Sequence, residues 1–317
     1  MIQSLPLSWS RNDIDRPGFE SVYLPLSGTV WAHSAEIPLD YSFERVFTDL
    51  CAGFGGKILI RGCSGEIAGF LARNGFGIIR TGAEAVIDLK DLDRERPSVK
   101  ELARRGIRWG EVEEIPFTGL NSERVSGFTA LTAHGGKPNL KYLFRAGFDR
   151  ATRCFVFRAA DEEWLGVVTV STVAESCAHT EMILRHKKAP VGVMEALFTG
   201  VMNILREDGY EEFSLGEVPF ITPRALGSHI GSSSDSLKQK MLFRAGRALK
   251  FAFDYKGLFR FKNKFNPEWR PVYVCANPEL SLLALADLFI VSRYLELSRS
   301  ELISNIKGYN PLSSTFG

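Results

Sequence analysis

The sequence predicts an α/β protein made of two similar halves. Its 317 residues allow two domains of ordinary size. Between residues 154 and 215, strand-like runs and a helical run alternate, as they do in α/β folds. A short pattern also recurs. Leu71-Ala72-Arg73-Asn74-Gly75-Phe76 and Leu205-Arg206-Glu207-Asp208-Gly209-Tyr210 each run from a helix through a polar end to glycine and an aromatic, then into a strand. The break falls near residues 137–152, after the turn-rich Gly135-Gly136-Lys137-Pro138. The expected halves are residues 1–140 and 141–317.

The first 40 residues, rich in Pro, Ser and short apolar runs, give few clear elements. Phe43 to Gly53 reads as a helix closed by glycine, and Lys57 to Arg61 as a short strand. Glu66 to Asn74 is a second helix, stopped at Gly75 where a positive φ costs little. Ala85 to Leu89 is a strand, Ser98 to Gly106 a basic helix behind Pro97, and Pro116 to Gly136 a mixed stretch. Cys154–Ala159 and Trp164–Thr172, joined by Asp161-Glu162-Glu163, form a hairpin, and Ala178 to Arg185 is extended. Pro190 opens a helix whose Met194, Leu197, Val201, Ile204 and Leu205 follow the helical period, and Gly209 ends it. Phe213 to Leu215 is the next strand, with Gly216-Glu217-Val218-Pro219 as a turn. The run Leu280 to Leu297 holds Asp287, Arg293 and Glu296, too polar for a membrane span of about 20 apolar residues. It reads as a buried or amphipathic C-terminal helix.

Composition excludes several classes. Hydrophobic content of 45% and charged content of 24% are those of a globular protein. The five cysteines (51, 63, 154, 177 and 275) are scattered and never spaced C-x-x-C. They suit a reducing compartment, not a disulfide frame or structural zinc. The five histidines are scattered too, so no metal is expected. The N-terminus lacks the basic and apolar regions of a signal peptide.

Charge is concentrated in one place. Lys238 to Phe265 carries nine Lys or Arg and only Asp254 as an acid, a local charge of +8 in a chain of +2. Seven aromatics are interleaved: Phe243, Phe251, Phe253, Tyr255, Phe259, Phe261 and Phe265. Cations that neutralise phosphates beside aromatic faces suit an RNA or an anionic lipid surface. A solvated basic helix with its aromatics turned to the core would look the same. The expected form is a helix to about Lys250, then an irregular or extended loop around Gly257.

Several motifs now resemble one family. Glu181 to Phe220 holds Ala189-Pro190-Val191-Gly192-Val193-Met194-Glu195 and Leu215-Gly216-Glu217-Val218-Pro219-Phe220. These are similar to the helix start and strand end of the C-terminal catalytic domain of phosphatidylglycerol lysyltransferases. Gly257-Leu258-Phe259-Arg260-Phe261-Lys262-Asn263-Lys264-Phe265-Asn266-Pro267-Glu268-Trp269 resembles that family's Gly-Leu-x-x-Phe-Lys-x-Lys-Phe-x-Pro-x-Trp segment, followed by a strand over Pro271 to Ala276. Thr81 to Leu89 and the helix with Lys100, Arg104 and Arg105 resemble its first half more loosely. The resemblance covers about residues 57–295.

It implies two tandem acetyltransferase-like (GNAT) domains, each a mixed central sheet flanked by helices, with a tunnel between them. One mouth would take aminoacyl-tRNA and the other an anionic phospholipid such as phosphatidylglycerol. The aminoacyl group would pass to a lipid hydroxyl. Full-length members carry an N-terminal multi-helix flippase that this chain does not show. The implied place is the cytoplasm, with peripheral attachment at the inner membrane face.

Such an ester exchange needs a route for the hydroxyl proton, donors for the oxyanion, and charge to hold phosphate. Glu181 aligns with the family's acidic residue, and would orient the hydroxyl or hold the ammonium. The motif's arginine falls on Leu184, which makes Arg185 the nearest substitute. On a strand, a one-residue shift moves a side chain to the opposite face. Lys262 matches the family's catalytic-segment lysine and Lys264 its partner; in an extended segment both share one face, with Arg260 beside them. They would bind phosphate or stabilise the oxyanion. Glu217 stands where the family has an apolar methionine; its carboxylate would bind substrate and alter the choice of amino acid or lipid, or be an exposed turn acid, the slightly favoured reading. His179, near Glu181, is a candidate base or substrate-binding residue, with a satisfied structural histidine the favoured reading. No cofactor is expected: Arg185 to Gly192 is basic but lacks the glycine pattern that cradles the pyrophosphate of coenzyme A. Two other readings stay open. One is a related acyl or aminoacyl transferase with another acceptor: another lipid, a peptide or a cell-wall precursor. The other is a non-catalytic module that binds lipid or RNA.

Overall fold

The computed structural model describes residues 1–94, 96–221, 233–248 and 254–308. Phe251 and Phe253 of the basic stretch lie outside the described residues.

The N-terminal 40 residues are not irregular. They form β1 (Trp9–Asn12), β2 (Gly18–Leu24) and β3 (Thr29–Pro38). Alternation in Thr29–Pro38 is masked because both faces of β3 are largely covered, so the strand lacks the period-2 signature. Next come α1 (Phe43–Phe54), β4 (Ile58–Cys63), α2 (Gly65–Arg73) and β5 (Gly77–Asp88). In α1, Phe43, Val46 and Leu50 are buried at helical spacing, and Gly55 takes a left-handed φ of 65° to end it. Helix α2 is capped by Ser64, whose hydroxyl accepts from the Ile67 amide at 3.3 Å. The chain continues through α3 (Pro97–Gly106), β6 (Gly110–Ile115) and α4 (Gly119–Phe128).

The later elements follow the expected order: β7 (Thr152–Ala159), β8 (Trp164–Ala174), β9 (Cys177–Arg185), α5 (Val193–Glu207) and β10 (Glu212–Pro219). Then come α6 (Ser233–Ala248), α7 (Tyr255–Asn263), β11 (Glu268–Ala276), α8 (Leu282–Val291) and α9 (Tyr294–Gly308). Two expectations are corrected here. The segment around Gly257 is helical, because Asp254 caps it by accepting the Gly257 amide at 2.8 Å. The C-terminal run is two helices, broken where Arg293 takes a φ of 60°.

Among the described residues eleven strands form one mixed sheet, in the order β1-β3-β4-β11-β5-β10-β9-β8-β7-β6, with β2 against β3. Strands from the two expected halves interleave in this sheet. Strand β6, from before residue 140, pairs with β7, and β11, from the C-terminal part, lies between β4 and β5. Strands β1 and β8, distant in that order, also touch, so the sheet bends round on itself. The fold class is thus α/β with a mixed central sheet flanked by helices, as expected. Helices α1 and α2 cover one region of it, α3 and α5 another, and α6, α8 and α9 a third. No helix among the described residues is long and apolar enough to cross a membrane.

Candidate active site

The site is made by two parallel strands that part. Strands β9 and β10 pair only at Glu212↔Cys177, Phe213↔Ala178 and Ser214↔His179. Beyond those pairs β9 runs on to Arg185 and β10 to Pro219 without ladder bonds between them. A bulge drives the separation. On β10 the register against β5 slips between Ser214 and Glu217, and Gly216 adopts a φ of 86°. The expected turn at Gly216–Pro219 is therefore a bulged continuation of the strand. Glycine is needed there for a second reason. A Cβ on Gly216 would stand 3.3 Å from the Lys262 amine and 3.5 Å from the Thr180 carbonyl.

Lys262 reaches this gap from α7. Phe261 and Phe265 pack on Phe198 of α5, with ring centroids 5.5 and 5.7 Å from it, and so fix the end of α7 over the strands. The Lys262 side chain is buried, and its Nζ donates to the Glu217 carbonyl at 3.1 Å. Burial lowers its pKa from the ordinary lysine value to about 7, against the opposing pull of the Glu217 and Glu84 carboxylates. Near neutral pH this amine exists in both protonation states.

A chain of buried polar groups lies beside it. The Ser214 hydroxyl donates to Glu84 of β5 and accepts from the Gly216 amide at 3.0 Å. His179 Nδ1 is 3.1 Å from that hydroxyl. The hydroxyl has one hydrogen, already given to a carboxylate, so the histidine donates from Nδ1 and its Nε2 carries the lone pair when neutral. Glu217 pairs with Arg61 of β4 and accepts from the Thr81 hydroxyl at 2.7 Å. Its side chain is only 5% exposed, which corrects the expected exposed turn acid. The bulge turns Glu217 inward, a displacement that the residue sequence Gly-Glu-Val-Pro does not reveal.

Glu181 is buried on β9. It accepts from the Ser171 hydroxyl at 2.7 Å and from the Arg145 amide at 3.0 Å. Arg145 is the residue that sequence reasoning missed. Its guanidinium reaches Glu36 at 3.3 Å, Asp149 at 3.2 Å and the Ser10 hydroxyl at 3.2 Å, so it ties β1 and β3 to the segment before β7. Burial works against its charge, but Asp149, Glu181 and Glu36 outweigh that and hold its pKa above the ordinary value. Its neighbour Leu143 accepts from Arg61 at 2.9 Å. This segment therefore touches Glu181 directly and Glu217 only through Arg61. Only the turn-rich Gly135-Gly136-Lys137-Pro138 ahead of it marked it, and that carries no contact information.

The remaining predicted residues are placed elsewhere. Lys264 does not share a face with Lys262. On a helix, positions two apart diverge, and its Nζ pairs with Glu195 of α5 at 2.7 Å. Arg260 is exposed and makes no ion pair among the described residues. Arg185 is exposed and donates to the Ala189 carbonyl at 2.7 Å instead of joining Glu181. Leu184, at the position of the motif's arginine, packs with an apolar cluster that includes Trp164 and Val167. Among the described residues no group of three or more His, Cys, Asp or Glu is arranged to hold a metal ion.

The start of α5 is closed. Its N-cap Gly192 has a φ of 99°, and a Cβ there would meet the Leu102 carbonyl at 2.3 Å. A Cβ on Gly106 of α3 would lie 2.2 Å from the Gly192 carbonyl. Helix α3 thus stands on the helix N-terminus that would otherwise be free to bind an anion.

Two strands part over a buried lysine flanked by buried carboxylates, a cleft in which ionisable groups are held away from bulk water. The chain belongs to the phosphatidylglycerol lysyltransferase, C-terminal, family, whose profile matches residues 42–276. It is similar to the phosphatidylglycerol lysyltransferase of Bacillus subtilis (strain 168), 26% identical over 193 residues, covering 60% of this chain and 20% of that protein. It is also similar to the lysylphosphatidylglycerol biosynthesis bifunctional protein LysX of Nocardia farcinica (strain IFM 10152), 23% identical over 236 residues, covering 69% and 20%. The match thus spans about a fifth of either relative's length. The structure of L-PGS from Bacillus licheniformis superposes with a TM-score of 0.57 at 20% identity, over 80% of this chain and 77% of that one, a likeness of fold.

Proposed function

We propose that this chain transfers an aminoacyl group from aminoacyl-tRNA to the hydroxyl of an anionic phospholipid such as phosphatidylglycerol. The observation that carries the reading is the Lys262 amine, buried between parted strands with a pKa lowered to about 7. A neutral amine there can accept the hydroxyl proton as the lipid oxygen attacks the ester carbonyl carbon. The tetrahedral adduct then expels the ribose hydroxylate, which takes the proton back from Lys262. Glu181, held by Ser171 and Arg145, is the group that orients the hydroxyl or holds the substrate ammonium. The relatives named phosphatidylglycerol lysyltransferase support the lipid acceptor. Two tandem acetyltransferase-like halves, divided near residue 140 and sharing strands, and peripheral attachment to the inner membrane face complete the reading.

A coenzyme A donor is disfavoured by α3, which covers the α5 N-terminus where a pyrophosphate would sit. A binding module without turnover is the second reading, favoured by Leu184 standing where the family motif has arginine. The test is transfer of radiolabelled amino acids from a mixed charged-tRNA pool into chloroform-extractable lipid, using purified protein and phosphatidylglycerol vesicles. Label in the lipid phase supports the transferase. No label from a folded protein that still binds vesicles leaves the binding module or a non-lipid acceptor.

A further inference from the structure

We propose that the surface where the turn after α3 meets the loop between β9 and α5 docks the protein on an anionic phospholipid bilayer. This rests on the lipid-acceptor reading of the cleft and names the face that brings the cleft to its acceptor.

The turn Ile107–Trp109 exposes Ile107 and Trp109 by 62% and 54%, with Arg108 exposed between them. The loop after β9 exposes Lys187, Lys188 and, by 70%, Val191. These stretches are neighbours in space. Gly106 rests on Gly192, and the turn packs against α5. Arg108, Lys187 and Lys188 make no ion pair among the described residues, while Arg104 and Arg105 on α3 both turn to Glu101.

Single exposed apolar residues are ordinary. Three large apolar tips gathered with three unpaired cations are not, and they mark an interaction face. The chemistry favours lipid over RNA. RNA meets cations with phosphates and aromatics with bases, and gains nothing from Ile107 or Val191. At a bilayer, aliphatic tips and a tryptophan enter the headgroup boundary while the cations meet the lipid phosphates. Position agrees with chemistry. The loop continues β9 beyond the point where β9 and β10 part, so the face borders the open end of the cleft. Leu282, Leu283 and Ile290 of α8 also expose apolar surface, but Arg293 beside them is paired with Glu296.

The test is co-sedimentation of the full chain with vesicles of phosphatidylglycerol mixed with phosphatidylcholine, and of phosphatidylcholine alone. The wild type is expected to bind the anionic vesicles, less so as salt rises. The triple changes Ile107→Ser/Trp109→Ser/Val191→Ser and Arg108→Glu/Lys187→Glu/Lys188→Glu are each expected to lower that affinity at least about tenfold, with melting temperature kept. Both are expected to keep transfer to detergent-dispersed phosphatidylglycerol. Loss of transfer in the wild type with dispersed lipid sinks the cleft reading, whereas vesicle binding is read separately. The docking face is overturned by a wild type that binds no vesicle, or by either triple variant binding as the wild type does. It is also overturned if the charge reversal loses only tRNA, if the apolar change only alters self-association, or if Leu282→Ser/Leu283→Ser alone abolishes binding.

Discussion

Lys262 joins stability to chemistry through one proton. Its pKa is about 7 in the folded chain and near 10.4 when unfolded. Below pH 7 both states carry the proton, and the folded state bears the full penalty of a buried charge. Between about 7 and 10.4 the unfolded chain binds more protons, so stability rises with pH across that window. Lys262→Met is therefore expected to raise the urea midpoint at pH 6 by more than at pH 10. A gain that does not shrink with pH would mean the amine is not desolvated. Activity is expected to increase through pH 7 as the amine becomes neutral. Lys262→Arg keeps the charge but cannot give up its proton, and is expected to lose about 10²–10⁴-fold in turnover. Retained turnover in that variant would reassign the lysine to charge stabilisation. Of the predicted site residues, Lys262 and Glu181 lie in buried polar surroundings at the parted strands, whereas Arg260 and Lys264 do not. The sequence showed which residues carry charge; the helical form of α7 decided which of them points inward.

At the scale of elements, the contact between α3 and α5 is glycine on glycine. Gly106→Ala would push a methyl against the Gly192 carbonyl, and is expected to cost about 1–3 kcal/mol in chemical denaturation. A neutral outcome would show that the two helices can separate. Gly216→Ala adds strain at a φ of 86° and crowds the Lys262 amine, so turnover is expected to fall together with stability. Turnover measured on the folded fraction separates the two effects. Helices α1, α2 and α5 were legible because their buried residues recur at the helical period and glycine marks their ends. Strands β1 to β3 were not: β1 and β3 are covered on both faces and show no alternation, while β2 is largely exposed and buries only Leu24. The bulge in β10 was read as a turn, since glycine with a positive φ serves both.

For the whole molecule, the segment between the halves acts as a strap. Arg145 bonds to Ser10 and Glu36 on one side and to Asp149 on the other, while its amide holds Glu181. Arg145→Ala removes ion pairs to Glu36 and Asp149, both more than a third exposed, while the amide bond to Glu181 stays, and is expected to cost about 1 kcal/mol. Arg145→Lys is expected to recover part of the stability but less of the transfer rate, because an ammonium cannot span three acceptors in one plane. Equal recovery of both would make the residue purely structural.

The sequence by itself determined the α/β class, the helices with periodic apolar faces, the family motifs and the chemical types gathered at the site. These are local properties, written in spacing and composition. Only the tertiary structure decided that β6 and β11 cross between the halves, that Glu217 turns inward to Arg61, and that Arg145 supports Glu181 while Arg185 does not. Strand pairing and ion pairing join residues far apart in the chain, as they do Leu59 and Ala276, or Arg61 and Glu217, which are 156 positions apart. Such partners are chosen by the packed fold, whose burial makes an unpaired charge costly, and no local pattern records that choice.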